Sequence, residues 1–333
     1  MSASSDAVAI DDILAAQARL EGVARVTPLL ESPFINKLAG RRVLIKAECL
    51  QRTGSFKFRG GWSAVSALTD NARKAGVIAY SSGNHAQGVA HAAELHGVPA
   101  VIVMPSDAPA LKLANTADHG AEVVTYDRPG GESREEIGQA MAERRGLTLI
   151  RPYDEPMVMA GQGTCGLEIA EQARALGVEQ ADVLVCCGGG GLTSGIALAL
   201  EAEAPGLRVR PVEPDTADDM ARSQVAGERL ANEGPITSIC DAIVSPMPGA
   251  LTFPVIHRLC GPGLTVTDEE ALQAMAQIFL RLKLVAEPGG AVAVAAALFR
   301  GDQIEGDTVI CTISGGNTDP AMFARALATL DAA

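Results

Sequence analysis

The stretch Val183-Leu184-Val185-Cys186-Cys187-Gly188-Gly189-Gly190-Gly191-Leu192 decides the fold. Its first five residues make an apolar run of the kind found in a strand buried on both faces. Four glycines make the turn, and Leu192–Ala202, rich in Ala and Leu, continues as a helix. The same plan recurs on either side. Val77–Tyr80 leads through Ser81-Ser82-Gly83-Asn84 into a helix over His85–His96, and Thr308–Ile313 leads through Ser314-Gly315-Gly316-Asn317 into Pro320–Leu330. Ala100–Met104 precedes a helix around Ala110–His119, Glu122–Tyr126 follows it, and Arg208–Val212 is a further buried strand. Strands alternating with helices predict an α/β fold, with parallel sheets flanked by helices. Ligands of such sheets bind beyond the carboxyl ends of the strands, where these turns of Gly, Ser and Asn lie.

Composition narrows the function. The chain has 333 residues, with 27 basic against 40 acidic side chains and a formal net charge of −13. That length predicts two domains, or one large one. No low-complexity linker separates them, so two lobes would have to be interleaved. No basic run is present to displace counterions from a nucleic-acid backbone, and no apolar stretch is long enough for a membrane span. The polar, acidic N-terminus is unlike a signal peptide. The seven cysteines are odd in number and include no CxxC pair, which points to free thiols in a reducing cytoplasm.

Two motifs carry the chemistry. Four glycines between a strand and a helix N-terminus can aim several N–H groups at one phosphate, although a ligand-free tight turn has the same composition. The run is neither a dinucleotide fingerprint, since Thr193 takes the place of the last Gly, nor a Walker loop, since no Gly-Lys pair occurs. The second motif is Ser55-Phe56-Lys57-Phe58-Arg59-Gly60, which contains one of only six lysines. Apolar flanks lower an amine's pKa, as covalent carbonyl chemistry requires. A surface lysine at a helix start would look the same.

Ser-Phe-Lys-Phe-Arg-Gly, then Ser-Gly-Asn-His-Ala-Gln-Gly, the tetraglycine loop and a late Ser-Gly-Gly-Asn occur in the order of the serine/threonine dehydratase and serine racemase family, which the chain resembles from about residue 20 to 325. The resemblance implies a two-lobed fold-type II enzyme of pyridoxal 5'-phosphate, similar to the tryptophan synthase β subunit. Residues 1–52 and 153–333 would form the large cofactor-binding domain, and 53–152 the small domain that closes on substrate. Lys57 resembles the lysine that holds the cofactor covalently. Gly188, Gly189, Gly190, Gly191 and Leu192 look like its phosphate cup, and Phe56 would pack on the ring. Asn84 would bond the 3' oxygen, Glu287 would lie near the ring, and Ser314 would face the pyridine nitrogen. Ser81, Ser82, Gly83, Asn84 and His85 resemble the turn for the substrate α-carboxylate. The implied reaction is loss of water from a small 3-hydroxy amino acid (L-threonine or L-serine type) to give a 2-oxo acid and ammonia. A homodimer is expected on the same ground.

Other residues bear on selectivity. Ser82 resembles the racemases' acid/base opposite the lysine; a helix cap would explain it equally well. Glu213, the Ala217 carbonyl and Asp219 resemble the family's site for Mg²⁺, Mn²⁺ or Ca²⁺, whereas a solvated acidic turn is the plainer account. Arg151 departs from the family's usual His, and Arg134 resembles an arginine of the racemases. The two would suit a second carboxylate, as in 3-hydroxyaspartate. Remaining alternatives are racemisation, β-replacement and a non-catalytic binding protein. His91, His96, His119 and His257 show no ligand spacing and are expected on helix faces.

Overall fold

A computed structural model describes residues 7–81, 83–108, 110–127, 130–234 and 236–330. Ten strands occur among them: β1 (Leu29–Glu31), β2 (Arg42–Ala47), β3 (Val77–Tyr80), β4 (Ala100–Pro105), β5 (Glu122–Tyr126), β6 (Thr148–Leu149), β7 (Ala181–Cys186), β8 (Leu207–Pro214), β9 (Leu264–Val266) and β10 (Thr308–Ile313). They form a six-stranded sheet of order β1-β2-β10-β7-β8-β9 and a four-stranded sheet of order β5-β4-β3-β6. All neighbours are parallel except β1 and β2.

The parallel strands are buried on both faces because helices cover both, so they read as continuous apolar runs. The Pro288–Phe299 helix is buried all round, and its Ala and Val side chains fill the core of the larger sheet. With 3% aromatics, the core closes by bringing small side chains and backbones together. The Lys57–Ser66 and Asn84–His96 helices do so most tightly. A Cβ on Gly61 would stand 2.8 Å from the Gly88 carbonyl oxygen, and one on Gly88 would stand 2.9 Å from the Lys57 carbonyl. This crossing sets the height of Lys57 above the sheets.

Four strands depart from the sequence reading. β1, β6 and β9 have two or three residues each, too few for a periodicity. β2 was hidden by its charges. Arg42 and Lys46 break the apolar pattern, yet Lys46 is fully buried, with its Nζ 2.6 Å from Glu168 Oε2. Lys46 belongs to a buried ionic cluster. Arg59 donates from Nε to Glu48 Oε2 (2.8 Å), from Nη2 to Glu48 Oε1 (2.8 Å) and from Nη1 to Glu168 Oε1 (2.6 Å). Thr27 Oγ1 donates to the same Glu48 carboxylate. Burial would push the Glu48 carboxyl up, but the Arg59 guanidinium more than offsets it and holds the pKa below the ordinary range. The cluster joins the helix of Lys57 to β2 and to the Pro156–Ala175 helix.

Candidate active site

The carboxyl ends of β3 and β7 open on a common cleft. Phe56, Lys57, Ser81, Gly83, Asn84, His85, Arg134, Gly188 to Leu192 and Glu287 all line it. The motifs scattered over the chain therefore meet in one place.

Lys57 opens its helix from a turn in which Thr53 adopts φ +58 and Gly54 φ +72. A β-branched residue in the left-handed region is strained, and here it sits where the chain reverses to deliver the lysine. Asn317 Nδ2 holds that turn through the Thr53 carbonyl (2.7 Å). The Lys57 amine donates to the Pro152 carbonyl at 2.7 Å and stands 5.1 Å from the Phe56 ring centroid. Burial, then the nearby Arg134 guanidinium, lowers its pKa to about 8. A neutral amine is the nucleophile toward an aldehyde, and its fraction rises from roughly a tenth at pH 7 to nine-tenths at pH 9 for a pKa of 8. Covalent uptake of pyridoxal 5'-phosphate by the cofactor-free chain should therefore quicken several-fold across that range and level off. A rate that still climbed steadily beyond pH 10 would show an ordinary lysine.

Across the cleft, the glycine loop presents its backbone. A Cβ on Gly188 would meet the Ile243 carbonyl oxygen at 2.5 Å, and one on Gly189 would fall inside the Tyr153 ring at 2.3 Å. Gly190, at φ +95, caps the Gly191–Glu203 helix, whose N-terminal dipole faces the cleft. Steric need thus accounts for the glycines, and the helix N-terminus suits an anion. Ser245 Oγ, buried in the same wall, has no hydrogen-bond partner among the described residues. A reactive amine, a bare helix N-terminus and an orphaned hydroxyl fit an aldehyde-bearing phosphate cofactor.

Asn84 is held on both sides of its amide. Its Nδ2 donates to Glu287 Oε1 (2.5 Å), and its Oδ1 accepts from Asn317 Nδ2 (2.8 Å). Glu287 occupies the N-cap position of its helix but makes no cap hydrogen bond, so capping is not its task. Burial raises its pKa to about 7, against the Asn84 amide, which lowers it. His85 is buried, and its Nε2 lies 3.0 Å from the Ile150 carbonyl. Burial and the Lys57 charge push its pKa down to about 3, so its ring is neutral at pH 7. Ser81 Oγ accepts from Gly83 N (3.2 Å). Ser314 is buried beneath the cleft beside the Cys186 thiol and outside the lining. Ser82 lies outside the described residues.

The two arginines both meet Tyr80, which lines the cleft. Arg134 lines the cleft, with its guanidinium 5.7 Å from the Tyr80 ring centroid. Arg151 is exposed and outside the lining itself, but its side chain hydrogen-bonds that of Tyr80. The cleft's other cation is Lys112, which no motif signalled. Its Nζ would lie 3.6 Å from a Cβ on Gly83 and is 3.6 Å from Asp241 Oδ2. Tyr153, which roofs the glycine loop, was also missed.

Glu213, among the last paired residues of β8, and Asp219, just beyond that strand, are both buried. The Glu213 carboxylate accepts from the Met220 and Ala221 N–H groups (3.0 and 2.8 Å). Asn232 Nδ2 reaches Asp219 Oδ1 (2.6 Å) and the Ser245 carbonyl (2.9 Å), while Asp219 Oδ2 is buried without a partner among the described residues. Burial pushes both carboxyls up, Asp219 to about 6. Two buried acids and an unused oxygen fit a hard cation better than a solvated turn.

Comparison with known proteins places this geometry. The chain is 44% identical over 316 residues to an L-threo-3-hydroxyaspartate ammonia-lyase of Pseudomonas sp, covering 95% of this chain and 97% of that one. It is 40% identical to a serine racemase of Schizosaccharomyces pombe over 95% of this chain and 96% of that one. The crystal structure of a T.th. threonine deaminase superposes with a TM-score of 0.87 at 44% identity, covering 93% of this chain and 99% of that one. A family model described as pyridoxal-phosphate dependent enzyme matches residues 20–315, and the chain belongs to that family.

Proposed function

We propose that this protein is an ammonia-lyase that removes water from a small 3-hydroxy amino acid, yielding a 2-oxo acid and ammonia. The observation that carries it is the Lys57 amine, facing the glycine-lined helix N-terminus across one cleft with its pKa lowered to about 8. Pyridoxal phosphate, when bound, supplies an aldehyde that condenses with amines and a ring that accepts electron density from the substrate α carbon. The residues do the rest. Gly188 to Leu192 bind the phosphate, and the N–H groups at the start of the Asn84–His96 helix bind the substrate carboxylate. The Lys57 amine, its neutral form favoured by the lowered pKa, would take the substrate's α proton as the general base. Ser314, buried beside the lining thiol of Cys186, would offer a hydroxyl rather than a carboxylate to the ring nitrogen, leaving that nitrogen largely unprotonated. Racemisation would require a proton donor on the opposite face, the part assigned to Ser82.

A second carboxylate on the substrate is favoured by a specific observation: Arg134 and Lys112 both line the cleft. We propose L-threo-3-hydroxyaspartate, the substrate in the name of the Pseudomonas relative. In a 2-oxo acid assay of the cofactor-loaded protein, Lys112→Met should cost 3-hydroxyaspartate about tenfold or more in kcat/KM, the worth of one charge-assisted bond, and serine far less. Equal losses would refute a second-carboxylate role, and no 2-oxo acid from any 3-hydroxy amino acid would refute the lyase itself.

We also propose that Glu213, the Ala217 carbonyl and Asp219 bind Mg²⁺, Mn²⁺ or Ca²⁺. Mg²⁺ should raise Tm of the parent by several degrees, an effect that chelator reverses and Asp219→Ala abolishes. A parent Tm indifferent to both additions would count against the site.

A further inference from the structure

We propose that His91, Glu94 and His119 form a second, chemically distinct cation site, for a late first-row divalent ion of the Zn²⁺ class. The sequence spacing hid it. His91 and Glu94 are three residues apart on the Asn84–His96 helix and so share a face. His119 follows the Ala110–Asp118 helix, 25 residues beyond Glu94, and only the packing of the two helices brings it alongside. His91 Nδ1 and His119 Nδ1 lie 2.9 and 2.8 Å from the same oxygen, Glu94 Oε2, and the ring centroids are 4.6 Å apart. One ligand atom from each residue lies within 4.8 Å of the other two.

Two imidazole nitrogens and one carboxylate oxygen are a donor set for Zn²⁺, Ni²⁺ or Cu²⁺. Mg²⁺ and Ca²⁺ require oxygen on most sides, as at Glu213 and Asp219. A tetrahedral ion with bonds of about 2.0–2.1 Å sets its ligand atoms roughly 3.3 Å apart, so each N···O pair must open by about half an ångström from its hydrogen-bonded spacing. In the ion-free contacts each Nδ1–H donates to the carboxylate, and on binding the proton would pass to Nε2 or to solvent so that Nδ1 offers its lone pair. The side chains are 17%, 44% and 26% exposed in chain order, so an ion can enter from solvent and keep water as a further ligand. An ion here would tie together two helices that reach the cleft. One carries Asn84 and His85 at its start, and the other carries Lys112.

The protein contains its own reporter. Trp62 is the only tryptophan. Its ring centroid is 5.9 Å from that of Phe58, which in turn is 5.4 Å from that of His91. Cu²⁺, a paramagnetic quencher, should therefore dim Trp62 when bound at His91. The experiment is a Cu²⁺ titration of the cofactor-loaded, Mg²⁺-saturated full chain, followed by displacement with Zn²⁺. Expected are saturable one-site quenching reversed by Zn²⁺, weakened more than about tenfold in His119→Asn and in Glu94→Gln. Because the His96 ring centroid itself lies 4.2 Å from that of Trp62, His96→Gln separates the two sources. Retained quenching in that variant supports the site. Loss of quenching in His96→Gln, or unchanged affinity in both ligand variants, overturns it. Neither result depends on turnover.

Discussion

Replacing Lys57 by alanine should abolish 2-oxo acid formation, by at least about a thousandfold, while leaving the far-UV spectrum and Tm nearly unchanged. The size follows from two losses at one atom: the covalent anchor of the cofactor and the base that takes the α proton. The fold should tolerate the change because, among the described residues, the polar contact of the side chain is a single hydrogen bond to the Pro152 carbonyl. Its burial disfavours the charged form, so the native state loses little when the amine is removed. The direct readout is the visible absorbance of bound cofactor and its trapping by borohydride. Both should disappear in Lys57→Ala and persist in Lys112→Met, the substitution of the other lysine that lines the cleft. A trapped cofactor in Lys57→Ala would move the attachment to another lysine and overturn the assignment.

The second large effect is on stability. Arg59→Met should destabilise the protein by about 3–5 kcal/mol, because it strands the buried Glu48 carboxylate and half-strips Glu168. Tm should fall on the order of 10 °C. Arg42→Met removes an ion pair with Glu31 that is about one-third exposed on each side, and Tm should barely move. Because Arg59 lies two residues from Lys57 on the same helix, cofactor affinity should weaken along with stability. A Tm loss in Arg59→Met no greater than that in Arg42→Met would mean that the cluster is not structural.

Most of this architecture was legible in the sequence for one reason. Strands covered on both faces are apolar throughout, and the turns at their carboxyl ends are made of small residues, so β3, β7 and β10 and the cleft beyond them announce themselves. Where burial is achieved by pairing charges, that signal inverts. Lys46, Glu48, Arg59 and Glu168 look like surface residues, and their meeting depends on contacts up to 122 residues apart. Lys112 and the His91–His119 pair escaped for a related reason. Lys112 and His91 lie on ordinary helices and His119 just past the end of one, and what each faces is decided by helix packing. Arg151, next to Pro152 and Tyr153 in sequence, stays exposed and meets the cleft through its hydrogen bond to Tyr80.

The bridging amide of Asn232 has a thermodynamic consequence. It donates at once to Asp219 Oδ1 and to the carbonyl of Ser245, so one side chain spans the acidic pair and the wall of the cleft. An ion that fixes Asp219 also fixes the register of residue 245, and a ligand that settles against Ser245 returns the constraint. Linkage makes this exchange reciprocal: whatever factor the ion contributes to retention of the cofactor, the cofactor contributes to retention of the ion. Removing either should therefore loosen the other, and Asn232→Ala should uncouple them while leaving each set of direct ligands in place.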